Sequence, residues 1–160
     1  MIAVTLPTID SRTIVCPDPA ATTALGRALA GVAEAGDLIC LWGDLGAGKT
    51  HLAKAIGAGL GVGETITSPS FILMAEYVGN LPLFHVDPYR LTRAEDALQG
   101  GLLDERQATG VTLVEWPERL GDALPLDRLD VRIDGTGDEP RTITLETGSE
   151  RYRRFLEAIP

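Results

Sequence analysis

Eight residues, Gly43-Asp44-Leu45-Gly46-Ala47-Gly48-Lys49-Thr50, place three glycines, a lysine and a hydroxyl in the spacing G-x-x-x-x-G-K-[ST]. Each residue type suits phosphate. Glycines let backbone N–H groups turn inward around phosphate oxygens with no Cβ in the way. A helix opening at such a loop adds the partial positive charge of its N-terminus. In that arrangement Lys49 reaches the β and γ phosphates and the Thr50 hydroxyl is a ligand for Mg²⁺. The expected nucleotide-binding residues are therefore Asp44, Leu45, Gly46, Ala47, Gly48, Lys49, Thr50 and His51. The 14 basic residues include only two lysines, Lys49 and Lys54, which makes the position of Lys49 more telling.

Phosphate chemistry also needs carboxylates near the metal, and in α/β sheets these sit at the C-terminal ends of strands. Two end apolar runs here: Asp87 after Leu83-Phe84-His85-Val86, and Glu115 after Val111 to Val114. Each is expected to act in catalysis, by ligating Mg²⁺ or by positioning water. The Asn-Lys-x-Asp motif of guanine-binding switch proteins is absent, since Asn80 is followed by Leu81, and elimination favours ATP over GTP. Arg90 is open to two roles, stabilising phosphate charge or pairing at the surface. His85 reads as a packing residue of a hairpin, and Trp116 as either core or an exposed contact.

These groups need a scaffold, and the apolar pattern supplies one. Leu38-Ile39-Cys40-Leu41-Trp42 is a continuous apolar run, as a strand covered on both faces requires. The Gly-rich loop follows it, then Leu52, Ala55, Ile56 and Leu60 recur on one helical face that stops at Gly61. Upstream, residues 12–16 predict a strand. Asp18 and Pro19 predict a helix start, and Ala21, Leu25, Leu29 and Val32 a helix that stops at Gly36. Residues 71–77 and 81–86 flank Val78-Gly79-Asn80 as a hairpin. Thr92-Arg93-Ala94-Glu95 has capping-box spacing and opens a short helix. Leu129, Val131 and Ile133 pair with Ile143 and Leu145 across a turn-rich segment, and Ser149 caps a last helix. On that helix Tyr152, Phe155, Leu156 and Ile159 face inward and Arg151, Arg153 and Arg154 face solvent. The fold class is α/β: a mainly parallel sheet flanked by helices, with antiparallel hairpin additions, forming one P-loop NTPase domain over residues 1–160.

Composition sets outer limits. The chain has 160 residues, 23 Asp plus Glu against 14 Lys plus Arg, and a net charge of −9. That balance disfavours a protein whose main task is gripping nucleic-acid backbones. The longest apolar runs are far short of a membrane span. No basic-then-apolar leader opens the sequence, which predicts a cytoplasmic location. Cys16 and Cys40 lie in strand-like runs as buried, reduced thiols, with no zinc-site spacing around them.

Four segments together carry a family resemblance: the loop 43–50, Thr67-Ser68-Pro69-Ser70-Phe71, His85-Val86-Asp87-Pro88-Tyr89-Arg90-Leu91 and Val114-Glu115-Trp116-Pro117-Glu118. In order and spacing they resemble the bacterial TsaE family, also called YjeE, across nearly the whole chain. The loop alone is shared by countless NTPases; the combination is specific. The resemblance implies a small Mg²⁺-dependent ATPase required for N6-threonylcarbamoyladenosine (t6A) in tRNA. It also implies partners: TsaD, which transfers the group to tRNA, and TsaB, whose complex the protein binds and resets by hydrolysing ATP. Contact with tRNA is then only indirect. By position, Asp87 and Glu115 match acidic residues implicated in metal binding or catalysis. Thr67, Ser68 and Ser70 match a switch-like loop near the γ-phosphate, and Trp116 matches a residue important for activity. There are two departures. His51 stands where a second Thr is common, and Ser70 where Thr is frequent. The alternative function is a small-molecule P-loop kinase with Asp87 as general base. It needs an Arg-rich lid, for which residues 92–106 offer only Arg93 and Arg106.

Overall fold

A computed structural model describes residues 9–67, 74–89 and 105–159. Among them are seven strands: β1 (Asp10–Cys16), β2 (Leu38–Trp42), β3 (Met74–Tyr77), β4 (Leu83–Val86), β5 (Val111–Glu115), β6 (Leu129–Asp134) and β7 (Arg141–Thr147). They form one sheet in the order β1-β7-β6-β2-β5-β4-β3. The four central strands β6, β2, β5 and β4 run parallel, while β3 at one edge and β7 and β1 at the other are antiparallel additions.

The loop-bearing strand β2 is central because it has to be covered on both faces. Ile39 and Leu41 join the main core under the helices α1 (Pro19–Val32) and α2 (Lys49–Gly59). Leu38 and Cys40 point the other way and pack with Val86, Val114, Leu120 and Leu124 in a smaller core. This two-sided burial explains why β2 shows no polar alternation. Register then sets where polar groups emerge. Leu41 pairs with Glu115, and Val86 with Val114. Asp87 and Glu115 therefore leave neighbouring strands at one end of the sheet, beside the loop that follows β2.

The helices over that face are tightly apposed. A Cβ on Gly26 of α1 would lie 2.5 Å from the Ala55 Cβ of α2, inside contact distance. The start of α1 follows its capping chemistry, with Asp18 Oδ1 accepting from Ala21 N–H at 2.9 Å and Pro19 in the first turn. Its end differs from the expectation at Gly36. The helix stops at Val32, because the buried Asp37 carboxylate captures Glu34 N–H at 2.7 Å. Gly36, with φ +91°, instead turns the chain into β2 and donates to Gly110 O at 2.7 Å.

The C-terminal helix departs from expectation twice. Ser149 does not cap it. Its N–H donates to Thr147 Oγ1 at 3.1 Å, a 3₁₀ turn covers Glu150–Tyr152, and the α-helix α3 is only Arg153–Glu157. Its arginines are not simply a solvated face. Arg151 Nε donates to Asp37 Oδ1 at 3.2 Å, Arg154 donates to Asp37 Oδ2, and Arg154 Nε reaches Val32 O at 2.8 Å. A carboxylate taken out of water needs charged partners, and these two arginines supply them. Arg153 remains about half exposed and pairs with Asp10 at 2.6 Å. The apolar face is as expected, with Tyr152, Phe155, Leu156 and Ile159 all buried. Cys16 and Cys40 are buried and free. Among the described residues no helix is long and apolar enough to cross a membrane. The capping box at Thr92 and the start of the 71–77 strand lie outside the described residues, as do Arg93 and the side chain of Arg106.

Candidate active site

The loop after β2 folds as its glycines demand. Gly48, the residue before α2, has φ +103°, in the left-handed region that glycine enters without strain. A Cβ on Gly43 would lie 2.8 Å from Ile133 O, so no larger residue fits where the loop passes β6. The result is a short backbone turn at the head of an 11-residue helix, whose first N–H groups have no partner within the helix. An anion of phosphate size suits such a concavity.

Lys49 is the first residue of α2 and is buried. Its Nζ donates to Gly43 O and lies 3.3 Å from the centroid of the Trp116 ring. Burial pushes the ammonium below its usual pKa range, and the carboxylates of Glu115, Glu118, Asp87 and Asp44 pull it back up. Trp116 is held there by its backbone. With φ 53° and ψ 49° it is the one non-glycine residue of positive φ among those described, and Pro117 follows it. Such a conformation costs about 1–3 kcal/mol and persists only where surroundings enforce it. Tyr89 packs against the same indole, with ring centroids 4.8 Å apart.

Behind the lysine lies a buried polar chain. Thr50 Oγ1 donates to Glu115 Oε1 at 3.0 Å, and His85 Nε2 meets Glu115 Oε2 at 2.6 Å. Glu115 and His85 are both buried. Asp87, also buried, accepts Tyr89 N–H at 3.1 Å. No group of three or more His, Cys, Asp or Glu side chains able to hold a metal occurs among the described residues. Among the described residues the Thr50 hydroxyl and the Glu115 carboxylate meet here, 3.0 Å apart. That pair fits Mg²⁺, which keeps several waters and takes one or two protein oxygens along with substrate phosphates.

Among the described residues two cavities flank the loop. One, of about 280 Å³, is bounded by Pro17, Asp18 and Pro19, by Ala47, Gly48 and His51, and by Gly137, Asp138, Glu139 and Arg141. The other, of about 270 Å³, lies on the Trp116 side with Asp44, Glu118 and Asp134 at its rim. Sequence reasoning missed the first cavity and Arg141. Arg141 Nε donates to Ala47 O at 2.9 Å and its Nη2 to Gly137 O at 3.1 Å, so it ties the loop to the β6–β7 turn. A single arginine at a strand start carries no local signal of this. His51, exposed beside the first cavity, meets Thr23 Oγ1 at 3.1 Å and Pro19 O at 3.2 Å through its Nε2.

The structure thus brings together the loop residues 44–50, Asp87, Glu115 and Trp116. Thr67 directs its N–H at Tyr77 Oη at 3.5 Å. Ser68, Ser70 and Arg90 lie outside the described residues.

The chain is similar to proteins of one family. The family model described as threonylcarbamoyl adenosine biosynthesis protein TsaE matches residues 16–143. The tRNA threonylcarbamoyladenosine biosynthesis protein TsaE of Bacillus subtilis is 38% identical over 143 residues, covering 89% of each chain. The Streptomyces coelicolor protein of the same name is 42% identical over 135 residues, covering 80% of this chain and 91% of its own. Among solved structures, the crystal structure of Bacillus subtilis YdiB superposes with a TM-score of 0.73 at 34% identity, over 94% of both chains.

Proposed function

Since the chain belongs to the TsaE family of tRNA threonylcarbamoyladenosine biosynthesis, we propose that it is a Mg²⁺-dependent ATPase of one domain, acting in the cytoplasm on a TsaB–TsaD complex. The observation that carries the reading is the convergence at one sheet end of the Gly-rich loop, Lys49 and the Thr50–Glu115 pair. Phosphate, its counter-charge and a metal position then meet at one end of the sheet.

In this reading the triphosphate lies across the head of α2. The base and ribose enter the 280 Å³ cavity beside His51 and Arg141, and the γ-phosphate faces Lys49, Glu115 and Asp87. The backbone amides of residues 44–51 bind phosphate oxygens. Lys49 leaves Gly43 O and Trp116 and donates to the β and γ phosphates. Thr50 and Glu115 would hold Mg²⁺, which when bound neutralises charge developing on the phosphates. Asp87 orients the attacking water, and Glu115 fixes the Thr50 hydroxyl. Thr67, Ser68, Ser70, Arg90 and Trp116 link the nucleotide state to the partner surface, and tRNA is reached only through that complex.

Calorimetric titration of the purified chain with ATP and Mg²⁺ tests the assignment. The wild type is expected to bind and Lys49→Ala to lose at least about tenfold in affinity, the effect of a lost charge-assisted hydrogen bond of about 1.5–3 kcal/mol. Equal affinity in the two proteins would overturn it.

A further inference from the structure

Glu115 has two carboxylate oxygens and they face different partners. Oε1 accepts the Thr50 hydroxyl at 3.0 Å, and Oε2 meets His85 Nε2 at 2.6 Å. Strand register creates the second contact. His85 pairs with Leu113 across β4 and β5, and Glu115 is two residues further on the same face. His85 is wholly buried, and its Nδ1 has no hydrogen-bond partner among the described residues. Among the described residues the ring therefore makes one polar contact, and it goes to Glu115. A side chain that only filled the core between these strands would not need a ring nitrogen there.

A glutamate's terminal torsion is broad and holds no orientation of its own. With Thr50 as sole partner the carboxylate could rotate about that bond; a second donor on the other oxygen fixes its plane. We propose that His85 is a positioning residue: its Nε2–H locks the Glu115 carboxylate so that Oε1 and the Thr50 hydroxyl stand ready for Mg²⁺ before nucleotide arrives. The inference rests on the proposed metal role of Thr50 and Glu115. Groups that orient metal ligands from behind typically matter by 10–100-fold in metal affinity or activity.

The test is the gain in ATP affinity on adding Mg²⁺, measured by calorimetry with Mg²⁺ and with EDTA, alongside hydrolysis. Four variants are compared: His85→Leu, His85→Asn, His85→Gln and Glu115→Gln. Gln carries an amide N–H near the place of Nε2–H, and Asn is one methylene too short. We expect His85→Leu and His85→Asn to lose about tenfold of the Mg²⁺-dependent gain, with ATP affinity in EDTA within about threefold of wild type. His85→Gln is expected to keep most of the gain. If His85→Leu does not fold, as judged by its circular dichroism and melting, the Asn and Gln pair decides alone. A full gain in His85→Asn, or equal losses in Asn and Gln, overturns the inference. Glu115→Gln separates the two levels. If it loses the gain while His85→Asn keeps it, only the role of His85 falls. If it too keeps the gain, the metal assignment falls and His85 with it.

Discussion

Lys49 is bonded to Gly43 O and lies under the Trp116 ring. Trp116 in turn adopts a backbone conformation that tryptophan avoids. The two facts fit together if the indole covers the ammonium until phosphate replaces it. ATP binding should then change the surroundings of Trp116 and leave those of Trp42, which donates to Asp130 at 2.7 Å on β6, unaltered. The expected outcome is a shift in tryptophan emission on adding ATP that persists in Trp42→Phe and disappears in Trp116→Phe. A shift that follows Trp42 would show that Lys49 does not leave the indole. At this scale the sequence was informative where chemistry is local. Residues 43–50 are contiguous, so their loop could be read directly. The His85–Glu115 contact and the Arg141 clasp join distant segments, and nothing near either residue announces its partner.

Elements fix how accurately these residues meet. Helix α2 carries Lys49 and Thr50, and α1 holds it down through the close approach of Gly26 to Ala55. Gly26→Leu has no room at this crossing and should lower stability by about 1–3 kcal/mol, read as a lower urea midpoint with unchanged slope. Unchanged stability would mean that the helices part easily and do not define the loop's position. Apolar runs made β2, β5 and α2 legible in advance. The end of α1 and the arginines of the last helix were not, and Asp37 explains both. A carboxylate at the foot of β2 recruits Glu34 N–H from one side and Arg151 and Arg154 from a segment more than 100 residues later. Helical periodicity cannot show a buried charge of that kind.

Taken whole, the molecule is acidic, with a net charge of −9. Two of the three clustered C-terminal arginines are already committed to Asp37, which takes them from any basic patch that the last helix could offer a polyanion. Log affinity for nucleic acid depends on the number of phosphates neutralised. The chain alone should therefore bind tRNA no more tightly than micromolar at physiological salt, checked by a salt titration of the purified protein. Submicromolar binding without partners would show a local basic surface that overrides the net charge.

Partner-stimulated hydrolysis is the central claim of the proposed function. Its most direct measurement is the rate of ATP hydrolysis with Mg²⁺ by the wild type and by Glu115→Ala, each alone and with a TsaB–TsaD complex. Slow hydrolysis by the wild-type chain, a clear rise when the complex is added, and loss of that rise in Glu115→Ala are the expected results. Hydrolysis that ignores the complex, or a rise that survives in Glu115→Ala, would contradict the claim.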